Sequence, residues 1–209
     1  MTTFPVNNFL FQFHADNSKN YNYEVFGAEL CQNALAIQFL SRVLEEMRPT
    51  VIIEIGTYTG GLSILFGQYG FLKKIPIHTF DIVDKRQNTE IFEKLGIHFH
   101  LEDCFSEAGF NFIKSLIADN QRVFLFCDGG DKIKEFNAYA DFIKNGDLIC
   151  CHDFAYNDSF FKSELYLKWW GWHEISFKDI EESIIKNNLK QLYLEIASAC
   201  AIGIFGKKN

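Results

Sequence analysis

The feature that most constrains the fold of this 209-residue chain is an apolar run that passes directly into a glycine-rich turn. The run covers Val51–Ile55, and the turn that follows contains Gly56, Gly60 and Gly61. Consecutive β-favouring residues bounded by glycines predict a buried parallel strand that turns sharply into a helix. Because open α/β sheets bind ligands at such turns, the segment predicts a ligand site as well as a fold.

The spacing of this turn distinguishes between nucleotide-like ligands. A dinucleotide fingerprint reads G-x-G-x-x-G, with glycine amides and a helix N-terminus facing a pyrophosphate. Here the spacing is E-x-G-x-x-x-G, with Glu54 near the end of the strand. A carboxylate at that position repels a pyrophosphate and attracts an ammonium group. The favoured ligand is therefore S-adenosylmethionine, which carries an α-amino group, a sulfonium and no phosphate, and the turn residues Thr57 and Tyr58 are expected to line its site.

Composition and charge indicate one domain that does not bind polyanions. A chain of 209 residues can bury one substantial core and does not require a second. The net charge of −7 argues against a nucleic-acid or anionic-membrane binder, because such proteins carry a basic surface. No basic leader and no apolar run near the roughly 20 residues of a membrane span is found, so we predict a cytoplasmic protein. Its six cysteines have no C-x-x-C spacing, and we interpret Cys127, Cys150 and Cys151 as reduced core residues.

Strand and helix patterns alternate after residue 50. Apolar strand candidates lie at 51–55, 75–80, 97–101, 122–127 and 147–151. This alternation predicts a doubly wound α/β fold, with a mostly parallel sheet and helices on both faces. Before it, apolar residues at steps of three and four predict a helix over 28–47, closed by Pro49. Near the end of the chain, residues 172–177 and 198–205 are interpreted as two further strands.

The first 27 residues show no clear period. They could form a flap over the site, an oligomer contact or an ordinary surface segment, while residues 28–209 are expected to form one domain. A homo-oligomer is compatible with the sequence. We interpret Trp169, Trp170 and Trp172 as packing residues rather than as a substrate platform.

Two further acids follow the next two predicted strands. Asp81 ends the second strand, 21 residues after Gly60, where a carboxylate can accept hydrogen bonds from both ribose hydroxyls, and Ile82 lies beside it. Asp103 follows the third strand, where it could accept from an adenine amino group while Cys104 packs against the ring. One acid at a strand end is more often a helix cap or a loop residue. Acids at the ends of three successive strands favour a common ligand.

The fourth and fifth predicted strands end in residues with metal-binding chemistry. Asp128 follows the fourth strand, and His152 and Asp153 follow the fifth. Adjacent parallel strands lie about 4.8 Å apart, so the three side chains can share one ion. Carboxylates suit magnesium, and an imidazole also accepts manganese, iron or zinc. Taken singly, Asp128 and Asp153 could each cap a helix; together with the histidine they predict a metal site.

This ordered set of residues resembles the class I S-adenosylmethionine-dependent methyltransferases over roughly residues 28–206. The resemblance implies a seven-stranded sheet ending in a reversed hairpin, formed here by the last two predicted strands. It also implies that Ser63 approaches the methionine carboxylate and that Asp128 lies beside the methyl donor. The patterns D-G-x-D and G-D-x-x-x-x-H-D are similar to those of metal-dependent O-methyltransferases of the catechol, macrocin and cephalosporin-hydroxylase-like groups. Those enzymes hold magnesium by one acid after the fourth strand and an acidic or amide pair after the fifth.

The chain departs from that family pattern at His152. This histidine could ligate the metal, deprotonate the substrate or only hydrogen-bond to Asp128. The family often places a general base three or four residues after the first metal ligand, which suggests Asp131 or Lys132. A lysine in that role needs burial or a nearby metal to lower its pKa. The implied activity is metal-assisted methyl transfer to a hydroxyl of a small molecule, such as a diol, a sugar or a catechol.

Other functions share parts of this pattern. A non-catalytic S-adenosylmethionine-binding protein would keep the first turn and would not need the acids and histidine of strands four and five. A nicotinamide-dependent oxidoreductase would share the fold, but it should show G-x-G-x-x-G and no acid at position 54. An N- or protein-directed methyltransferase would commonly show an Asn/Asp-Pro-Pro-Tyr-like motif where this chain has Cys127-Asp-Gly-Gly130. We therefore favour a small-molecule O-methyltransferase.

Overall fold

The computed structural model describes residues 23–32, 34–165, 173–195 and 200–208. The predictions made for residues 1–22, for the three tryptophans and for residues 198 and 199 lie outside this part of the chain.

The described chain begins with an antiparallel hairpin and a helix: β1 (Tyr23–Val25), β2 (Ala28–Leu30) and α1 (Ala34–Met47). The prediction of a helix over 28–47 is therefore wrong for residues 28–30. Burial alternates along these residues as in a strand, and Phe26 and Gly27, both with positive φ, form the tight turn of the hairpin. The helix ends before Pro49, as predicted.

The remaining strands, in chain order, are β3 (Val51–Ile55), β4 (Ile77–Asp81), β5 (Ile97–Leu101), β6 (Val123–Cys127), β7 (Leu148–Cys151), β8 (Phe154–Ala155), β9 (Ile175–Ser176), β10 (Leu189–Gln191) and β11 (Gly203–Lys207). Seven strands form one sheet in the order β10-β11-β7-β6-β3-β4-β5. Strands β3 to β7 run parallel, and β11 runs antiparallel to both of its neighbours. The predicted doubly wound, mostly parallel seven-stranded sheet with a reversed C-terminal hairpin is confirmed.

The helices after α1 are α2 (Gly61–Lys73), α3 (Thr89–Leu95), α4 (Glu107–Asp119), α5 (Lys132–Tyr139), α6 (Asp158–Phe160) and α7 (Phe177–Lys186), with a 3-10 turn at Ala140–Phe142 and a π-helical turn at Phe161–Leu165. Helices α1 to α3 cover one face of the sheet, and α4, α5 and α7 cover the other. Successive residues of β3 serve the two cores: Ile52 packs in the first and Ile53 in the second. Within the described ranges, we find no helix with the length and apolar character needed to traverse a bilayer.

Only the second of the two strands predicted for the C-terminal hairpin contributes to it. Its strands are β10 and β11, whereas the run predicted as a strand over 172–177 contributes only β9, which pairs with β8 outside the central sheet. The strand stops there because the Asp179 carboxylate accepts from the backbone N–H of Ser176 at 2.7 Å and starts α7. In the second predicted strand, over 198–205, sheet pairing begins at Gly203.

The cysteines are part of the core, as predicted. All six are free thiols, and five are buried, among them Cys127, Cys150 and Cys151. The exception is Cys31, which lies exposed between β2 and α1.

Gly61 determines how closely the hairpin approaches α2. A Cβ at this position would collide with the backbone carbonyl oxygen of Glu29 in β2. We therefore expect Gly61→Ala to lower the free energy of unfolding by about 1–3 kcal/mol, the usual cost of overpacking, and to speed hydrogen exchange in β2. Urea unfolding and exchange measurements test this. The control is Gly130→Ala, whose added Cβ meets nothing within 4 Å. Equal stability of Gly61→Ala and the parent would contradict the close approach.

Candidate active site

The turn after β3 is joined to the strands on both sides of it. The backbone N–H of Gly56 donates to the carbonyl of Phe80 at 2.8 Å, and that of Asp128 donates to the carbonyl of Ile55 at 2.8 Å. Gly56 and Gly60 have φ near +97° and +96°, a region that favours glycine. A Cβ on Gly56 would also collide with the Asp128 carbonyl. Glycine at this position therefore allows the turn to lie directly against the end of β6.

The hairpin β1–β2 lies against the outside of the same turn. The Thr59 hydroxyl donates to the Glu29 carbonyl at 2.8 Å, and the Tyr58 hydroxyl donates to the Glu29 carboxylate at 3.1 Å. The Asn88 side chain donates to the Phe26 carbonyl at 2.7 Å. Of the segment 1–27 only the last five residues are described, and its role as a flap or an oligomer contact stays a prediction.

Asp81 holds the turn and the following loop in place. One carboxylate oxygen accepts from the backbone N–H of Tyr58 at 2.9 Å, and the other accepts from that of Val83 at 3.1 Å. Each oxygen keeps a second lone pair for a ligand. Beside it, Ile82 is 71% exposed and offers an apolar surface at the sheet edge. The predicted contact of Asp81 with ribose hydroxyls is compatible with this geometry and stays a prediction.

Asp103 and Cys104 follow β5 at the same edge. Asp103 is exposed, and its Oδ1 accepts from the backbone N–H of Phe105 at 2.8 Å. Cys104 is buried, and its carbonyl accepts from the Tyr139 hydroxyl at 2.5 Å. Asp103 thus also stabilises its own loop, and contacts of either residue with adenine stay a prediction.

Glu54 and Ser63 lie beneath the turn rather than at an open strand end. Glu54 is 1% exposed, and its Oε2 accepts from the Ser63 hydroxyl and from Thr79 Oγ1, the latter at 2.6 Å. Thr79 also bonds to Thr57 at 2.6 Å. Burial raises the pKa of Glu54 to about 8, although the two hydroxyl donors oppose the shift. Glu54 Oε1 has no hydrogen-bond partner among the described residues, and the predicted contacts of Glu54 and Ser63 with the ligand stay predictions.

Asp128, His152 and Asp153 converge at the ends of β6 and β7. These strands are neighbours, with Cys127 opposite Cys151, so both loops leave the sheet side by side. His152 Nδ1 lies 3.0 Å from Asp128 Oδ1 and 3.4 Å from Asp153 Oδ2. One ligand atom from each of the three residues falls within 4.8 Å of the others. Asp153 has φ of +53°, a conformation that non-glycine residues adopt at a cost.

His152 lies between two carboxylates in this arrangement. Burial alone would lower its pKa, but the charges of Asp128 and Asp153 outweigh burial and raise the pKa to about 9. Of the three roles considered for this histidine, the hydrogen bond to Asp128 is present in the structure. For His152 to ligate a metal ion, the ion must replace a proton on the imidazole ring.

Lys132 and Asp131 lie at the start of α5, next to this cluster. The Lys132 ammonium is 3.1 Å from Asp153 Oδ2 and 2.9 Å from Glu174 Oε2. Burial lowers its pKa, but the charges of Asp128, Asp153 and Glu174 raise it more, so the net shift is upward. The suggestion of Lys132 as a general base stays a prediction. Asp131 is the N-cap of α5 and accepts from the backbone N–H of Lys134 at 3.0 Å.

Sequence reasoning missed three residues that shape this site. Glu135 is buried and accepts from the backbone N–H groups of Gly129 and Asp131 at 3.1 and 3.2 Å, which holds the loop after β6. Gln32 Nε2 donates to Asp128 Oδ2 at 3.1 Å, and Glu174 pairs with Lys132. An acid in the first turn of α5 is a recognisable signal for Glu135. Gln32 and Glu174 have none, because their partners are 96 and 42 residues away.

The family of the chain follows from its match to a family model. Residues 17–174 match the model described as rhamnosyl O-methyltransferase/CmcI. The chain belongs to this family. It is an S-adenosylmethionine-dependent O-methyltransferase, which confirms the predicted enzyme class and excludes the oxidoreductase alternative. No protein of curated function matches the chain significantly.

Solved structures show the same fold at low identity. The apo structure of CmcI-N160 is 16% identical, with a TM-score of 0.65 over 90% of this chain and 76% of its own. The structure described as cmcI-D160 Mg-SAM is also 16% identical, with a TM-score of 0.64 over 90% and 77% of the two chains. Apo CalS11, described as a TDP-rhamnose 3'-O-methyltransferase, is 12% identical, with a TM-score of 0.51 over 84% and 78%.

The raised pKa of Glu54 predicts a pH-dependent stability. Below its ordinary value near 4.5 the group is neutral in both states; as the pH rises towards 8, the unfolded chain ionises while the folded protein stays neutral. The free energy of unfolding therefore falls, by at most about 1.4 kcal/mol per pH unit. Glu54→Gln keeps the shape of the side chain and removes its ionisation. The free energy of unfolding of this variant, relative to that of the parent, should therefore be higher at pH 8 than at pH 5.

Urea unfolding of the ligand-free protein at several pH values between 5 and 8 measures this difference. The control is Glu90→Gln, since Glu90 is exposed on α3 and its replacement should leave the pH dependence of the parent unchanged. Parallel stability curves for the parent and Glu54→Gln would show that Glu54 ionises normally in the folded protein.

Proposed function

We propose that this protein transfers the methyl group of S-adenosylmethionine to a hydroxyl of a small sugar-like substrate with the help of a divalent metal ion, most suitably magnesium. The observation that carries the proposal is the convergence of Asp128, His152 and Asp153 at the ends of β6 and β7, directly against the glycine turn after β3. This juxtaposition sets a site for a methyl donor beside a site that can activate an oxygen nucleophile.

The residues around the turn fit the donor. Gly56 and Gly60 give the turn its left-handed backbone, and the Asp81 carboxylate keeps lone pairs for ribose hydroxyls. The exposed Ile82 side chain supplies an apolar surface for adenine, with Asp103 at the next loop. When bound, the donor supplies an electrophilic methyl group. The protein contributes mainly position, since a displacement at carbon requires the substrate oxygen, the methyl carbon and the sulfur to lie in line.

The acidic cluster fits a metal ion. Two carboxylates and one imidazole supply hard and borderline ligands within reach of one another, and the unfavourable backbone of Asp153 is typical of a functional site. The Lys132 ammonium already pairs with the Asp153 carboxylate and would compete with a metal ion for it. Glu174 offers the ammonium a second partner. A bound ion would lower the pKa of a coordinated substrate hydroxyl and so supply a nucleophile at neutral pH.

The proposed substrate class rests on the family and on chelation chemistry. The family model is described as rhamnosyl O-methyltransferase/CmcI. The structurally similar protein CalS11 is described as a TDP-rhamnose 3'-O-methyltransferase. Vicinal sugar hydroxyls can chelate one ion through two oxygens, as the two oxygens of a catechol can. We therefore propose a sugar first and a catechol second. The predicted cytoplasmic location and homo-oligomer are carried forward as part of this hypothesis.

Asp81 should contribute strongly to donor affinity. Removing a charged hydrogen-bond partner costs about 1.5–3 kcal/mol, so we expect Asp81→Ala to weaken binding of S-adenosylhomocysteine roughly ten- to a hundredfold. Calorimetric titration measures this. The control is Asp84→Ala, three residues along the same loop, where the carboxylate pairs with Arg86 on the surface. Unchanged affinity in Asp81→Ala, or tighter binding of NAD than of S-adenosylhomocysteine by the parent, would contradict the donor site.

Catalysis should depend on a divalent ion bound by the acidic cluster. We expect Asp128→Asn and Asp153→Asn to lose calorimetrically measured Mn²⁺ binding and at least a hundredfold of magnesium-stimulated methyl transfer, because each removes a charged ligand. The control is Asp141→Asn, since Asp141 is exposed and pairs with Lys186 far from the cluster. Full methyl transfer to sugars and catechols in excess chelator would refute the metal and favour His152 or Asp131 as a metal-free base.

A further inference from the structure

Gln32 is a buried polar residue at the rim of the active site. It lies between β2 and α1, is 2% exposed, and its Nε2 donates to Asp128 Oδ2 at 3.1 Å. The other oxygen of the same carboxylate lies 3.0 Å from His152 Nδ1. Gln32 and His152 therefore hold Asp128 from two sides, one from the N-terminal hairpin and one from β7.

The contact with Asp128 also determines the orientation of the Gln32 amide. A carboxylate only accepts hydrogen bonds, so the amide nitrogen must face Asp128 and the amide oxygen must point elsewhere. That oxygen, Oε1, is buried and has no hydrogen-bond partner among the described residues. A buried carbonyl without a partner is unfavourable, and in a binding site the missing partner is commonly supplied by a ligand.

The surroundings of Gln32 indicate the chemistry of that ligand. Gln32 contacts Asp128, whose backbone lies directly against Gly56 in the turn after β3. An amide oxygen only accepts hydrogen bonds, which excludes an ionised carboxylate as the partner of Oε1, and the nearby acids Asp128 and Asp153 favour a cationic donor. The group that fits is a cation with N–H donors, and S-adenosylmethionine and S-adenosylhomocysteine both carry one in their α-ammonium group.

We propose that Gln32 is a donor-binding residue whose Oε1 accepts a hydrogen bond from the α-ammonium group, while its Nε2 holds Asp128. The inference rests on the proposed function, because it assumes that the methionine end of the donor lies at the Gly56 turn. It assigns the donor site a residue from the N-terminal hairpin region in addition to the strand ends. The hairpin itself is bonded to the turn through Glu29, which contacts Thr59 and Tyr58.

The test compares S-adenosylhomocysteine with its analogue in which hydrogen replaces the α-amino group. Calorimetry gives the dissociation constants of both ligands for the parent, Gln32→Leu and Gln32→Glu. We expect Gln32→Leu to lose about tenfold in affinity for S-adenosylhomocysteine and less than twofold for the deaminated analogue. Gln32→Glu keeps an acceptor and should keep the preference for the amino group. The exposed Gln38 on α1 supplies the control Gln38→Leu, which should bind both ligands like the parent.

Three results would overturn the inference. Equal loss of both ligands in Gln32→Leu would mean a purely structural role. If Gln32→Glu also lost the preference for S-adenosylhomocysteine over the deaminated analogue, Gln32 would act only by holding Asp128. A parent that binds neither ligand would refute the proposed function itself and this inference with it. Circular dichroism identifies variants that do not fold, and Gln32→Met replaces Gln32→Leu if the latter is one of them.

Discussion

The close approach of the β3 turn to the end of β6 is the contact on which the rest of the site depends. Gly56 lies against the backbone of Asp128, and the backbone N–H of Asp128 donates to the carbonyl of Ile55. No side chain larger than hydrogen fits between them. Because the two backbones touch, the glycine turn and the acidic cluster are neighbours, which is the arrangement that the proposed methyl transfer requires.

Charge balance is the second constraint on this site. Asp128, Asp153 and Glu174 face Lys132 and His152, so three acidic side chains meet one lysine and one histidine at the edge of the core. Buried charges are tolerated only when they are paired, and each of these side chains has an oppositely charged partner. Acidic side chains outnumber basic ones in this cluster. The arrangement therefore favours cationic ligands, which a sulfonium donor and a divalent ion both are.

The sequence predicted the strands and the clustered acids for the same physical reason. The segments 51–55 and 97–101 match the observed strands because short β-favouring segments bounded by glycine or polar residues have few other stable arrangements. Asp128, His152 and Asp153 come together because neighbouring parallel strands end at one edge of the sheet. The errors lie elsewhere. The strand predicted over 172–177 and the first residues of the predicted helix over 28–47 failed where local capping and turn chemistry interrupted an apolar pattern.

The sequence by itself determined the fold class, the order of the ligand-binding strand ends and the residues that could hold a metal, because these depend on local periodicity and on the geometry common to all parallel sheets. The tertiary structure alone decided which groups are ionised and which polar atoms are left for a ligand. Burial raises the pKa of Glu54, nearby carboxylates raise the pKa of Lys132, and Gln32 reaches Asp128 across 96 residues of sequence. Burial and hydrogen bonding depend on distant partners, and no local pattern in the chain encodes them.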